Sequence, residues 1–178
     1  MPAQPTTPKD VQAQVQQALA DNAPLHLTAG QSKFHLGRRV TNTNSLDLSA
    51  LNQLVSYEPG ELILVVRPGM RLDAIEELLA AQNQHLAFEP PHWGDAATAG
   101  GTVACNLSGP RRFKAGALRD HLLGIEMIDG HGQRIRAGGK VVKNVTGYDL
   151  SKVLSGSFGT LGPLTELCFK VWPRPQTQ

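Results

Sequence analysis

Cysteine, long apolar runs and an excess of one charge are all scarce in this sequence. The 178 residues contain two cysteines, Cys105 and Cys168, with no second Cys or His at metal-ligand spacing. Neither a zinc site nor a disulfide framework is therefore indicated. No apolar run approaches the roughly 20 residues that span a bilayer. The net charge of +2 gives no sign of a nucleic-acid-binding surface over the whole molecule. A folded domain in a reducing, cytoplasmic setting is expected.

Two common nucleotide-binding motifs are also missing. The string G-x-x-x-x-G-K-[ST] does not occur, which excludes a Walker A loop. Nor does G-x-G-x-x-G, so a Rossmann dinucleotide site has no support. The 18 glycines and 12 prolines are scattered, which indicates many turns and loops close to a ligand.

Local patterns predict an α+β fold with two subdomains, at about 7–90 and 95–175. Thr7 and Pro8 are a typical helix start, and Val11, Val15, Ala18 and Leu19 would share the apolar face of that helix. Strands are predicted at 25–28, 45–48, 54–57 and 62–66, a type II turn at Pro59-Gly60, and an amphipathic helix from Leu72 to about Asn83. The second half predicts strands at 122–128, 133–137 and 164–172, typical of an antiparallel sheet. The proline-rich string EPPHWG, residues 89–94, would join the subdomains.

Two small-residue loops are candidate ligand sites. The first spans 98–116, reads TAGGTVACNLSGPRRFKAG and ends in Arg111, Arg112 and Lys114. Small side chains allow backbone N–H groups to approach a phosphate, although a tight loop packed for steric reasons explains the glycines equally well. The second, 29–33, follows a predicted strand and offers a Gly, a Ser and a Lys to an anion.

Taken in order, the motifs resemble the FAD-binding domain of the vanillyl-alcohol oxidase/p-cresol methylhydroxylase family, the PCMH-type domain. The matching segments are the 29–33 loop, V-x-P-G at 66–69, T-x-G-G at 98–101, LLGIEMIDG at 122–130, KNVTGYDL at 143–150 and GSFGTLG at 156–162. EPPHWG, VACNLSGPRR and GYDLSKVLSGSFGTLGPLTE are most similar to the FAD-binding subunits of bacterial glycolate oxidase (glycolate dehydrogenase). Two departures stand out: residues 29–33 replace a Gly-Gly-Gly-Thr-type loop, and Phe158 replaces an acidic residue.

The resemblance implies non-covalent FAD and oxidation of a small 2-hydroxy acid, glycolate to glyoxylate. The cofactor-binding residues that it implies are Gly30, Gln31, Ser32, Lys33, Pro68, Pro91, Thr98, Gly100, Gly101, Asn106, Gly109, Gly116, Ile128, Tyr148 and Gly159. It assigns no catalytic residue and no metal ligand. The second, substrate-side domain of that family is expected to be absent from this chain.

The same resemblance implies a second flavin subunit and an iron–sulfur subunit as partners, with any membrane contact made through them. Two other classes of function stay open. One is a non-catalytic FAD-binding or assembly module. The other is nucleic-acid binding through the basic cluster at 111–119, which lacks interleaved aromatics beyond Phe113.

Overall fold

The structure is a computed structural model that describes residues 4–38, 41, 44–139 and 149–176. The helices in this part of the chain are α1 (Pro8–Ala20), α2 (Leu72–Ala80), α3 (Ala99–Cys105), α4 (Arg112–Ala115), α5 (Leu118–His121) and α6 (Leu150–Leu154). The strands are β1 (His26–Thr28), β2 (Ser45–Asp47), β3 (Leu54–Glu58), β4 (Ile63–Val66), β5 (Gln84–His85), β6 (Leu122–Ile128), β7 (Arg134–Gly138), β8 (Leu164–Lys170) and β9 (Trp172–Pro173). None of the helices described is long and apolar enough to cross a bilayer.

Five strands form the central sheet, in the order β3-β4-β8-β6-β7, and all neighbours in it are antiparallel. β3 and β4 precede residue 90, whereas β6, β7 and β8 follow residue 95, so the two predicted subdomains share this sheet. Their boundary stays a prediction. Helices packed with a mainly antiparallel sheet confirm the predicted α+β class.

The main core lies between the central sheet and helices α2 and α3. β4 and β8 are buried strands, and α2 and α3 contribute apolar faces of helical period. Each fully buried aliphatic or aromatic side chain contributes about 1.5–3 kcal/mol relative to exposure. Members of this core are Leu64, Val66, Leu72, Ile75, Leu79, Val103, Leu167 and Phe169.

A smaller core joins α1 to the parallel β1–β2 pair and to the end of β6. Val11 and Val15 of α1 pack with Leu46, Leu51 and Ile128. α1 begins as its sequence predicts, because Thr7 and Asp10 form a reciprocal capping box that binds free N–H groups. This layer places the loop that follows β1 beside α3.

Two local predictions were wrong. A type II turn would put Gly60 in the left-handed region, but Gly60 lies in a 3-10 turn, Pro59–Glu61. The Leu62 N–H closes this turn by donating to Pro59 O (3.3 Å), and Leu62 is the left-handed residue, at φ 59°. Leu19 is 49% exposed, and the face of α1 that packs on the smaller core consists of Val11 and Val15.

The stretch 98–116 is mainly helical rather than one long loop. Thr98 caps α3, accepting the Gly101 N–H at 3.3 Å, and Gly100 and Gly101 lie in the first turn. A Cβ atom at position 100 would lie 2.6 Å from Pro68 Cβ, and the Gly100 N–H donates to Pro68 O at 2.7 Å. The glycine at 100 therefore allows α3 to pack against the V-x-P-G turn.

Candidate functional site

Three segments enclose a cleft of about 1040 Å³. They are the residues from Pro24 to Arg38, one face of α3, and the 157–160 loop. We call this the β1–α3 cleft. From α3 and its cap the lining residues are Thr98, Gly101, Ala104 and Cys105.

Close backbone packing holds the first segment against the start of α3. A Cβ atom at position 30 would lie 1.5 Å from the carbonyl oxygen of Ala96 and 3.1 Å from Thr98 Cγ2. Only glycine fits there without moving the backbone. Gly30 therefore sets the distance between the loop after β1 and the cap of α3.

Hydrogen bonds attach the third segment to the other end of α3. The Gly156 N–H donates to Val103 O (3.1 Å), and the Phe158 N–H donates to Ala104 O (2.8 Å). Gly159, at φ 74°, packs against Leu27 of β1, whose Cδ1 atom would be 3.2 Å from a Cβ. The cleft is thus closed on three sides by segments far apart in the sequence.

The lining of the β1–α3 cleft is positively charged. Among the described residues its charged side chains are Lys33 and Arg38, and it contains no Asp or Glu. Such a lining is suited to an anionic ligand.

Lys33 is the buried cation of this lining. Its side chain is 9% exposed, and its ammonium donates to Ser32 Oγ at 3.2 Å. Burial lowers the pKa of Lys33 below its usual value, and the nearby Cys105 opposes this shift. Within the described residues no carboxylate pairs with Lys33, so its charge is left for a ligand to neutralise.

Cys105 shares this environment. Burial raises the pKa of its thiol, and the positive charge of Lys33 counteracts part of that rise. The thiol is half-buried and free. A half-buried thiol serves here as a small apolar part of the cleft wall.

Two non-glycine residues of the lining adopt the left-handed backbone region, Gln31 at φ 54° and Phe158 at φ 53°. This conformation is uncommon for a bulky side chain and concentrates at ligand sites. Phe158 is also 53% exposed, and Phe34 on the opposite segment is 65% exposed. The mouth of the cleft therefore carries two aromatic rings that lack full cover from the described chain.

The structure brings about half of the sequence-predicted site residues into this cleft. Those that line it are Gly30, Gln31, Ser32, Lys33, Thr98, Gly101 and Gly159. Their contact with a ligand stays a prediction. Thr98 also has the structural role of helix cap, since its hydroxyl oxygen accepts the Gly101 N–H.

Other predicted site residues lie outside the lining. Pro68 and Gly100 support α3, Gly109 packs on the Glu89 backbone, and Ile128 is fully buried in the smaller core. Gly116 ends α4 at φ 92°, and Pro91 is half-buried in the 89–94 loop. Tyr148 lies outside the described residues. Any ligand role of these residues also stays a prediction.

Asn106 is a special case among the residues outside the lining. It ends α3 in the left-handed conformation, directly after Cys105 of the cleft. Its Oδ1 atom is buried and has no hydrogen-bond partner in the described structure. Buried polar atoms are normally satisfied, and this amide oxygen requires a hydrogen-bond donor rather than an anion.

Sequence reasoning missed Cys105 and Phe34 as lining residues. Thr98, Gly101 and Cys105 stand at helical positions i, i+3 and i+7, which places them on one face of α3. This helical spacing indicates the shared face, whereas the Gly-Gly pair favours a loop. For Phe34 the sequence offered no signal.

The EPPHWG string lies between this cleft and a second, smaller cavity. Trp93 is close to His35 of the cleft, with 5.2 Å between ring centroids, and His92 Nε2 is 3.0 Å from Glu76 Oε1. Glu89 and Pro90 line the second cavity together with Arg111, whose guanidinium is 3.4 Å from Glu89 Oε1. Neither Arg111 nor Arg112 lines the β1–α3 cleft.

Comparison with known proteins identifies the family. The family model described as FAD binding domain matches residues 2–138. Glycolate oxidase subunit GlcE of Escherichia coli is 48% identical over 163 residues, which are 92% of this chain and 46% of that protein. Glycolate oxidase subunit GlcD of Bacillus subtilis is 38% identical over 130 residues, 72% of this chain and 27% of that protein.

Solved structures agree on the fold. An alkyldihydroxyacetonephosphate synthase superimposes with a TM-score of 0.79 over 97% of this chain and 31% of its own, at 23% identity, which shows a shared fold alone. The chain spans less than half the length of the curated relatives described above. Because the family model matches most of the chain, the protein belongs to the FAD-binding domain family, and FAD is its cofactor.

Proposed function

We propose that this chain holds FAD in the β1–α3 cleft and forms the flavin-binding part of a subunit that oxidises a 2-hydroxy acid, with glycolate as the first candidate. The names of the GlcE and GlcD relatives support the reaction class. The observation that carries the site is Lys33, a buried ammonium in a lining where the described residues include no acid.

The residues present fit the anionic part of FAD. A pyrophosphate would neutralise Lys33 and accept hydrogen bonds from Ser32 and from backbone N–H groups of the 30–33 loop. At position 101 a Cβ would lie 3.2 Å from Thr98 Oγ1 and 4.0 Å from Lys33 Cδ, so glycine leaves the space between them open.

This chain's own residues would bind, orient and shield the cofactor. Bound FAD supplies a flavin ring that accepts a hydride equivalent from the substrate. Phe34, Phe158 and Leu27 provide apolar surface on which uncharged parts of FAD would pack. We assign no residue of this chain to the base or to the groups that bind the substrate carboxylate.

We further propose that the chain works in an assembly with a second flavin subunit and an iron–sulfur subunit. Both relatives above carry the word subunit in their names, which supports a multisubunit complex. Electrons taken up by the flavin would leave through these partners. Attachment to a membrane through the same partners follows as part of this proposal.

Flavin content and reducibility test the proposal. The purified chain should carry FAD, visible as a flavin absorbance spectrum, and should rebind it in a one-to-one ratio after removal. With partner subunits co-produced, anaerobic glycolate should bleach the flavin band. Failure to rebind FAD would show that the site assignment is wrong, and binding without bleaching would favour the non-catalytic module.

A further inference from the structure

An aromatic ring projects into solvent from α4. Phe113 is 92% exposed, the highest value among the large apolar side chains described. Phe113 is therefore no part of the core, and its ring is free to contact a surface outside this chain.

The side chains next to Phe113 are cations. The Arg112 guanidinium lies 5.6 Å from the centroid of the Phe113 ring, and Lys114 follows on the same short helix. Both are exposed, and neither makes an ion pair within the described residues, whereas Arg111 is paired with Glu89. We call Arg112, Phe113 and Lys114 the α4 patch.

Hydrogen bonds on both sides of α4 fix the α4 patch to the core. Before it, the Gly109 N–H donates to Phe88 O at 2.8 Å. After it, the Leu118 N–H donates to Ser108 Oγ at 2.8 Å, and His121 Nε2 is 2.8 Å from Ala115 O. The ring and the two cations are thus presented by an ordered turn, so binding incurs little entropy loss from ordering the backbone.

We propose that the α4 patch binds an anionic phospholipid surface. Charge complementarity supports this partner, because both flanking cations would meet lipid phosphates while the ring enters the interface. A specific protein interface centres on a group of apolar side chains, whereas Phe113 is the one exposed large apolar side chain of α4. A peripheral lipid contact needs only an inserted side chain and a few cations, and it does not depend on the proposed function of the cleft.

Vesicle co-sedimentation of the full chain with FAD bound tests the proposal. Binding is expected to vesicles in which about a third of the phosphatidylcholine is replaced by phosphatidylglycerol, and not to phosphatidylcholine alone. Raising the salt from about 0.05 to about 0.5 M should weaken it. Phe113→Ala should lower the affinity about tenfold, and Arg112→Gln or Lys114→Gln about fivefold each.

Two substitutions on α1 are matched controls, Leu19→Ala for an exposed apolar side chain and Lys9→Gln for an exposed cation. They should leave vesicle binding unchanged, and flavin absorbance should confirm that every variant is folded. Absence of wild-type binding, or equal binding by wild type and the α4 variants, would overturn the proposal. Variants that weaken only the association with co-produced subunits would show a protein interface instead.

Discussion

At the scale of single residues, Lys33 separates a binding role from a structural one. A buried ammonium without a carboxylate partner destabilises the empty protein, and the same charge attracts a pyrophosphate. Removing the charge should therefore stabilise the FAD-free protein and weaken FAD binding, so one substitution can test both effects. An ordinary structural lysine would show only a loss of stability.

We expect Lys33→Met to weaken FAD binding by at least about tenfold, because a charge-assisted contact is lost. The FAD-free protein should be as stable as wild type or more stable, since an unpaired buried charge is removed. Flavin fluorescence titration and denaturant unfolding measure the two quantities. Lys9→Met removes an exposed charge on α1 and should change neither; unchanged FAD affinity in Lys33→Met would contradict the assignment.

Gly30 makes a second prediction at this scale. Gly30→Ala would bring a Cβ within 1.5 Å of Ala96 O, so the loop after β1 must move away from α3. We expect a loss of about 1–3 kcal/mol of unfolding free energy, together with weaker FAD binding. Gly60→Ala is the matched control, because nothing lies within 4 Å of its Cβ position and its φ is not positive.

At the scale of elements, α3 depends on its cap. Thr98 is 4% exposed, and its hydroxyl oxygen accepts the Gly101 N–H that α3 itself leaves free. Two glycines in the first turn weaken this short helix, which makes the cap more important. The helix in turn positions Gly101 and Cys105 in the cleft.

Thr98→Val keeps the shape of the side chain and removes the hydroxyl acceptor. We expect a loss of about 1 kcal/mol in unfolding free energy, within the usual range for a helix cap. Thr98→Ser keeps a hydroxyl acceptor and should retain most of the stabilisation that the cap provides. A Val variant as stable as wild type would show that the cap contributes nothing, and FAD titration of both variants would show whether the hydroxyl also serves the ligand.

At the scale of the whole molecule, a buried carboxylate connects three strands of the central sheet. Glu126 on β6 is 1% exposed; Arg134 on β7 lies 2.6 Å from Glu126 Oε2, and Thr165 on β8 donates to Oε1 at 2.8 Å. Burial alone raises the pKa of Glu126, but hydrogen bonds from Arg134, Arg136 and Thr165 outweigh it, and the pKa is lowered overall. The ionised form is therefore the one that the fold stabilises.

A pH dependence of stability follows from that direction. A carboxylate with a lowered pKa stabilises the fold above its unfolded pKa of about 4.3, and the contribution disappears as the pH falls through the folded pKa. We expect the unfolding free energy to fall below about pH 4.5, and less steeply in Glu126→Gln. Glu61→Gln, at an exposed site, should follow the wild-type curve. Identical curves for wild type and Glu126→Gln would rule out this network as the source.

Local sequence patterns determined much of the secondary structure. The helix start at Thr7 and Pro8, the apolar run of β4 and the apolar strand β8 each depend on near neighbours, and the structure confirms them. The motif order also determined the family, since several strings in sequence are more specific than any one. The type II turn predicted at Pro59-Gly60 is wrong, because the hydrogen bond from the Leu62 N–H to Pro59 O sets the turn one residue later.

Only the tertiary structure decided which of the predicted site residues share one cleft. Lys33, Gly101 and Gly159 are distant in the sequence, and they meet because β1, α3 and the 157–160 loop pack through Gly30 and the α3 carbonyls. The same packing separated Gly109, Gly116 and Ile128 from the lining. The burial of a side chain and the charges around it depend on contacts between segments that are distant in the sequence. The sequence by itself therefore determined the motifs and the family, whereas the fold decided that Lys33 is a buried cation in the lining of the β1–α3 cleft.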